Sequence, residues 1–217
     1  MKKIRSLFIV LAGMGLGIGG VRADEVAVVS FRVGKDKMPL SFALEFYEKD
    51  APATVANFKK LAEKKFYNGQ SIHRAFPHLL IQMGDPLSKK KDRSRVGTGG
   101  PGYTLPAEIR RKHVKGAIAA ARLPDVINPS RHSNGSQFYV CLAEMPSYDG
   151  QYTVFGKVIW GLETLDGLSQ QNVDSNDNPI TRNEILSVKV MPRELLGAQP
   201  VAMSPIKVVK KRWWKIF

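Results

Sequence analysis

The order of its apolar runs restricts this chain more than any other feature. About eight short runs have strand character and only two segments have helical spacing. The two helical segments lie far apart, so strands and helices do not alternate as in a βαβ chain. Val26–Val33 and Met38–Phe46 alternate apolar and polar residues around Gly34-Lys35-Asp36-Lys37, which predicts a β-hairpin. Val55, Phe58, Leu61 and Ala62 recur at helical spacing. Asp50 is the expected cap of that helix, with Pro52 in its first turn. Lys59, Lys60, Glu63, Lys64 and Lys65 are its expected solvated face. Asn68-Gly69 ends the region in a turn. Two strands follow, carrying Arg74 and Gln82 and separated at Pro77. Gly116–Arg122, Gln137–Leu142, Tyr152–Trp160 and Ile185–Met191 predict four more. Leu162, Leu165 and Leu168 mark the second helix. Eight mainly antiparallel strands suffice to close a barrel filled by side chains, with two helices over its ends. Strand count alone does not separate a barrel from a sandwich.

The two ends differ from this domain. Lys2, Lys3 and Arg5 precede an apolar, Gly-rich run from Leu7 to Val21, and Val21-Arg22-Ala23 has the small-x-small cleavage pattern. Residues 1–23 therefore read as a secretory signal peptide, with an uncleaved membrane anchor as the alternative. The run of about 15 residues is short for a span of about 20. The expected domain is 24–192. Residues 193–217 form a basic, aromatic tail, expected to be disordered. Within it, Val209, Trp213 and Ile216 share a helical face among Lys and Arg, which allows weak contact with an anionic membrane surface. The formal net charge is +14. That charge lies in loops and tails and matches no nucleic-acid module, so nucleic acid is not an expected partner. Four histidines and one cysteine show no metal-ligand spacing, and no metal or other cofactor is expected. Cys141 lies in a β-type run and reads as a small buried hydrophobe. The loop Asp85–Tyr103 is basic and Gly-rich, but no GK[ST] and helix follow its glycines, so it is not a phosphate loop. Ser136 lacks the Gly-x-Ser-x-Gly context of a nucleophile elbow, which argues against hydrolase chemistry.

The stretch Phe66–Asp85 sets an Arg and a Gln eight residues apart among Phe and Leu. Such a surface suits gripping a backbone carbonyl beside a hydrophobic side chain. This stretch resembles the Phe-His-Arg…Gln-x-Gly-Asp segment of cyclophilin-type peptidyl-prolyl isomerases. Gly97-Thr-Gly-Gly-Pro-Gly-Tyr103, Asn134-Gly-Ser-Gln-Phe-Tyr139, and Asp149-Gly150 through Val154-Phe-Gly-Lys-Val158 are similar to further motifs of that family, in its order. The likeness runs from about Val26 to Met191. It implies a closed eight-stranded antiparallel barrel capped by two α-helices, with a proline-binding groove on the outer surface. It also implies a catalytic role for Arg74, oriented with the peptide by Gln82, and substrate backbone contact by Gln137. Tyr139 falls where the family has the aromatic floor of the proline pocket. Leu79 and Leu80 replace a common Phe-Met pair. Ala121 lies beside the groove, and Arg122 replaces an asparagine there, adding a second cation. Tyr148 and Tyr152 stand where leucine and histidine are frequent. Ser147 replaces a frequent tryptophan, which argues against tight cyclosporin binding.

The chemistry these residues support is rotation about a conjugated amide whose barrier is about 18–20 kcal/mol. No bond to substrate need be made or broken. An apolar floor holds the pyrrolidine ring, and amide side chains hold the flanking backbone. As the amide twists, its nitrogen gains lone-pair character, and the fixed charge of Arg74 favours the twisted form. The expected function is peptidyl-prolyl isomerisation during folding of exported proteins. The expected partners are proline-containing unfolded or exported polypeptides, the place is periplasmic or extracellular, and the chain is monomeric. The alternative is a non-catalytic proline-peptide binder or chaperone using the same groove. His73, next to Arg74 on a strand, is expected to point to the opposite face and to be structural.

Overall fold

The computed structural model describes residues 24–198. The expected signal peptide and residues 199–217 of the expected tail lie outside that range. Strands β1 (Glu25–Val33) and β2 (Leu40–Phe46) form the hairpin that alternation predicts. They are followed by α1 (Pro52–Glu63), β3 (Arg74–Phe76), β4 (Leu80–Met83), β5 (Thr104–Leu105) and β6 (Ala117–Ala120). Next come β7 (Ser133–Asn134), β8 (Phe138–Cys141), β9 (Val154–Trp160), α2 (Leu162–Ser169) and β10 (Asn183–Pro192). Eight strands make one antiparallel sheet in the order β10-β1-β2-β9-β6-β8-β4-β3, and β5 pairs with β7 in a separate two-stranded ladder.

The sheet is strongly curled, and its closure differs from the continuous barrel expected. No ladder joins the edge strands β3 and β10. The gap is bridged by the segment just before β3: Gly69 N–H donates to Ile185 O, Ile72 N–H to Asn183 O, and Ile185 N–H to Gln70 O. A single bridge pairs Ser71 with Glu184. Register shifts at Ser30/Phe31, Ala43/Leu44 and Ile118/Ala119 supply the local bends that curl a sheet of this width. The β5–β7 ladder was not foreseen, since two-residue strands leave no periodic signal.

Alternate residues of each strand point into the curl. Ala27, Val29, Phe31, Phe42, Leu44, Ile81, Ile118, Val140 and Ile185 are buried there. Helix α1 covers one mouth. Its predicted face, Val55, Phe58, Leu61 and Ala62, is buried, and the Phe58 ring lies 5.2–5.8 Å from those of Phe46, Tyr67, Phe138 and Phe155. Helix α2 buries Leu165 and Leu168.

Three expectations about the margins are corrected. Asp50 does not cap α1; it pairs with Arg111 at 2.6 Å. The carboxylate of Glu108 does the capping instead, accepting from Ala53 N (3.0 Å), Thr54 N (2.9 Å) and Thr54 Oγ1 (2.8 Å). Lys59, expected in solvent, is largely buried, with Nζ on Glu25 (2.7 Å), on Glu48, and 4.7 Å from the centre of the Phe46 ring. Residues Arg193–Ala198, assigned to the disordered tail, form a short 3-10 helix. Arg193 is held there by Asp24 and, at 2.7 Å, by Glu45.

Candidate active site

The outer face of β3, β4, β8 and β6 carries a second, smaller apolar cluster. Residues directly opposite in an antiparallel pair share a face. Register therefore places Arg74 opposite Gln82, Gln82 opposite Tyr139, and Tyr139 opposite Ala119 in one row. The next row runs Phe76, Leu80, Cys141. Arg74, Gln82 and Tyr139, far apart in sequence, are thus brought side by side. Leu80 and Tyr139 are buried in the cluster, and Ala121, Tyr148 and Tyr152 pack against it. Leu79 stands apart in the β3–β4 turn, 41% exposed. Phe76 joins the cluster without having been singled out in the sequence; its two-residue spacing from Arg74 was the signal.

Arg74 is the one cation of the upper row. Its side chain is 48% exposed, and its guanidinium carbon lies 4.7 Å from the centre of the Phe76 ring. Its Nε is 3.7 Å from Asp177 Oδ2. Asp177 has φ +60°, a left-handed conformation that Asp tolerates better than most residues. The turn holds it there: Asp177 N–H donates to Asp174 O (3.1 Å), and its own carbonyl accepts from Ala75 N–H (3.0 Å). Asp177 was passed over because Asn172–Thr181 carries only loop-forming residues and no periodicity.

Gln82 is fixed by a chain of amides. Gln82 Nε2 donates to Gln137 Oε1 at 2.8 Å, and Gln137 Nε2 donates to Gly97 O (3.0 Å) and Gly99 O (2.7 Å). Gln137 is buried with its amide engaged in this way, so it stands behind Gln82 rather than at the surface where substrate contact was expected. The local sequence explains its position. Asn134 Oδ1 accepts from both Ser136 N and Gln137 N at 2.9 Å, an Asx turn. A Cβ on Gly135 would lie 2.6 Å from Tyr103 O, so only glycine fits that turn. The Gly97–Gly99 loop is in turn gathered by the buried carboxylate of Asp85, which accepts from Leu87, Gly97 and Gly99 N–H. A Cβ on Gly99 would meet Asp85 Oδ1 at 2.2 Å. Gly99, expected only as part of a surface loop, is required for this close approach.

The floor is an aromatic box. The Tyr139 ring lies edge-on to Tyr148 (6.1 Å) and Tyr152 (5.8 Å), and those two are 4.9 Å apart. His113, unassigned from the sequence, completes it, stacked 6.1 Å from Tyr139. Its Nδ1 is 3.0 Å from Asp149 Oδ1 and its Nε2 is 3.0 Å from Tyr139 Oη. The carboxylate can only accept, so Nδ1–H donates to it and Nε2 accepts from the tyrosine hydroxyl. The added hydroxyl of Tyr139 is thereby turned into the protein. Burial lowers the His113 pKa despite Asp149, and the His113 N–H groups hold Asp149 below the usual carboxylate range. Burial also pushes the Tyr139 hydroxyl far up and the Cys141 thiol up to about 12. Arg122, expected to add a second cation beside the groove, is almost fully covered and paired with Asp125. His73 is buried, and desolvation pushes its pKa down to about 4.

The family model for cyclophilin type peptidyl-prolyl cis-trans isomerases matches residues 29–190. A peptidyl-prolyl cis-trans isomerase of Helicobacter pylori (strain 26695) is 35% identical over 158 residues, covering 70% of this chain and 88% of that protein. One of Synechococcus elongatus is 38% identical over 149 residues, covering 68% and 88%. A crystal structure of a cyclophilin type peptidyl-prolyl cis-trans isomerase of Cryptosporidium parvum superposes with a TM-score of 0.64. It is 25% identical and covers 76% of this chain and 98% of its own. The same protein in the presence of the dipeptide Ala-Pro gives 0.62. The chain belongs to the cyclophilin type peptidyl-prolyl cis-trans isomerase family, and its activity is the cis-trans isomerisation of peptidyl-prolyl bonds.

Proposed function

We propose that isomerisation takes place on the outer face of β3, β4 and β8, with Arg74 as the catalytic residue and Gln82 holding the peptide beside it. The observation that carries this is the row Arg74–Gln82–Tyr139, in which an accessible guanidinium adjoins an apolar floor. A proline ring resting on Leu80, Phe76 and Tyr139 leaves its amide nitrogen within the field of Arg74. The twisted amide has more lone-pair density on that nitrogen than the planar one, so a preorganised cation stabilises the transition state preferentially. Gln137 acts through Gln82, locking its amide by the 2.8 Å bond. Asp177 sets the direction of Arg74 without neutralising it at contact distance. The presence of Ala-Pro in the related crystal structure supports a proline-containing ligand for this chain as well.

Arg74→Ala is expected to lower kcat/KM on a proline tetrapeptide by roughly 100-fold or more, on the scale of about 3–4 kcal/mol per preorganised donor. Its far-ultraviolet circular dichroism is expected to match wild type, because Arg74 is half-exposed. Wild-type turnover in this variant would remove Arg74 from the mechanism.

The biological setting follows from the ends of the sequence. Residues 1–23 read as a secretory signal, which supports a role on exported polypeptides after its removal. Intact-mass analysis of the protein from the periplasm is expected to show a chain beginning at Asp24. A full-length mass in the cytoplasmic fraction would refute export.

A further inference from the structure

The loop Arg122–Arg131 buries one arginine and braces itself with ion pairs at its surface, while its apolar side chains point outward. The Arg122 side chain is 3% exposed. It donates from Nε to Gln151 O (2.8 Å) and from Nη1 to Leu123 O (2.9 Å), pairs with Asp125, and lies 4.6 Å from the centre of the Tyr152 ring. Asp125 also accepts from Arg131 Nη2 at 2.8 Å, and Arg131 Nη1 donates to Gly150 O at 2.9 Å. Turn bonds from Ile127 N to Pro124 O and from Arg131 N to Asn128 O close the loop on itself. Leu123, Val126 and Ile127, by contrast, are 59%, 94% and 66% exposed. A single exposed aliphatic residue needs no explanation, but three within five residues on a braced loop are the pattern of an interaction surface. Arg122 is covered while three aliphatic neighbours are left in water, the opposite of their ordinary preferences.

We propose that this loop extends the proline groove and takes apolar side chains that flank the proline in the same polypeptide. The proposal rests on the outer-face groove described above. The loop is continuous with that groove. Leu123 lies two residues beyond Ala121, whose N–H is bound to Gln137 O at 2.9 Å. Both arginine braces land on Gly150 and Gln151, next to Tyr152 of the aromatic box. A chain leaving the floor at Tyr152 therefore passes Arg122 and meets Leu123, Val126 and Ile127. Exposed apolar residues are what an unfolded chain offers and a folded one withholds, so the loop would favour unfolded clients.

The test uses the mature protein and the variant L123S/V126S/I127S, whose three side chains are exposed and whose ion pairs are untouched. The probes are fluorescent 12-residue peptides with one central proline, flanked on one side or both by Leu and Phe or by Ser. Wild type is expected to bind the apolar-flanked peptides roughly tenfold more tightly than the Ser-flanked one. The variant is expected to bind all of them as wild type binds the Ser-flanked peptide, and to isomerise a proline tetrapeptide at the wild-type rate. A preference that survives in the variant, or is missing in wild type, overturns the proposal. So does a concentration-dependent dimer seen by sedimentation in wild type and lost in the variant, which would assign the loop to a second copy of the chain. Binding is read without turnover, so a misplaced groove shows separately, as full tetrapeptide turnover by Arg74→Ala.

Discussion

His73 and Arg74 are adjacent on one chain and have opposite surroundings. Arg74 lies half in water, while His73 is buried and desolvation pushes its pKa down to about 4. The folded state thus prefers neutral His73, whereas the unfolded chain takes up its proton near pH 6.5. A group whose folded pKa is lowered in this way binds more protons when unfolded. Stability is therefore full above about pH 6.5 and is lost as pH falls toward about 4, by up to ~3 kcal/mol. His73→Leu, which keeps the volume without the nitrogens, is expected to flatten the dependence of denaturant midpoint on pH over that window. An unchanged slope would show that another group titrates there. At this scale the sequence was informative where period two operates. Arg74, Gln82 and Tyr139 share a face, and His73 takes the other. It was silent on His113 and Asp177, whose partners Tyr139 and Arg74 lie 26 and 103 positions away in sequence and meet them only through the fold.

Among the elements, α1 shows how a local signal can be right about existence and wrong about its anchor. The buried positions Val55, Phe58, Leu61 and Ala62 follow from spacing, but the N-terminal donors are met by Glu108, 55 residues on from Ala53. Asp50 has the chemistry of a cap, yet Arg111 holds it at 2.6 Å. Lys59 similarly belongs to the polar stripe by count but is drawn in between Glu25 and Glu48. Both departures are tertiary charge pairings that override a short-range preference. Glu108→Ala removes three hydrogen bonds and a negative charge from a helix N-terminus. It is expected to destabilise the domain by about 1–2 kcal/mol, measured by urea unfolding. Glu108→Gln, which keeps an acceptor, is expected to recover part of that loss.

For the molecule as a whole, the eight strands of the main sheet, their antiparallel order and the two helices were legible, while the β5–β7 ladder and the manner of closure were not. The ends of the curled sheet meet through Gly69–Ile72, a segment with no strand pattern. Arg182 clamps this join, donating from Nη1 to Ser88 O (2.7 Å) and from Nη2 to Gly69 O (2.6 Å). Arg182→Ala is expected to cost about 1–3 kcal/mol and to speed hydrogen exchange first at Ile72 and Ile185 N–H, ahead of β1 and β2 amides. Uniform acceleration across the sheet would mean that the join is not a separate weak point. The curl has one more consequence. Core and groove are formed by opposite faces of the same strands: Ala75, Ile81 and Val140 inside, Arg74, Gln82 and Tyr139 outside. Alternate positions along each strand thus answer to different demands, one set to holding the chain folded and the other to what it grips. A lineage of such proteins can change its clientele at outward positions other than Arg74 and Gln82 while the alternate residues keep the fold unchanged.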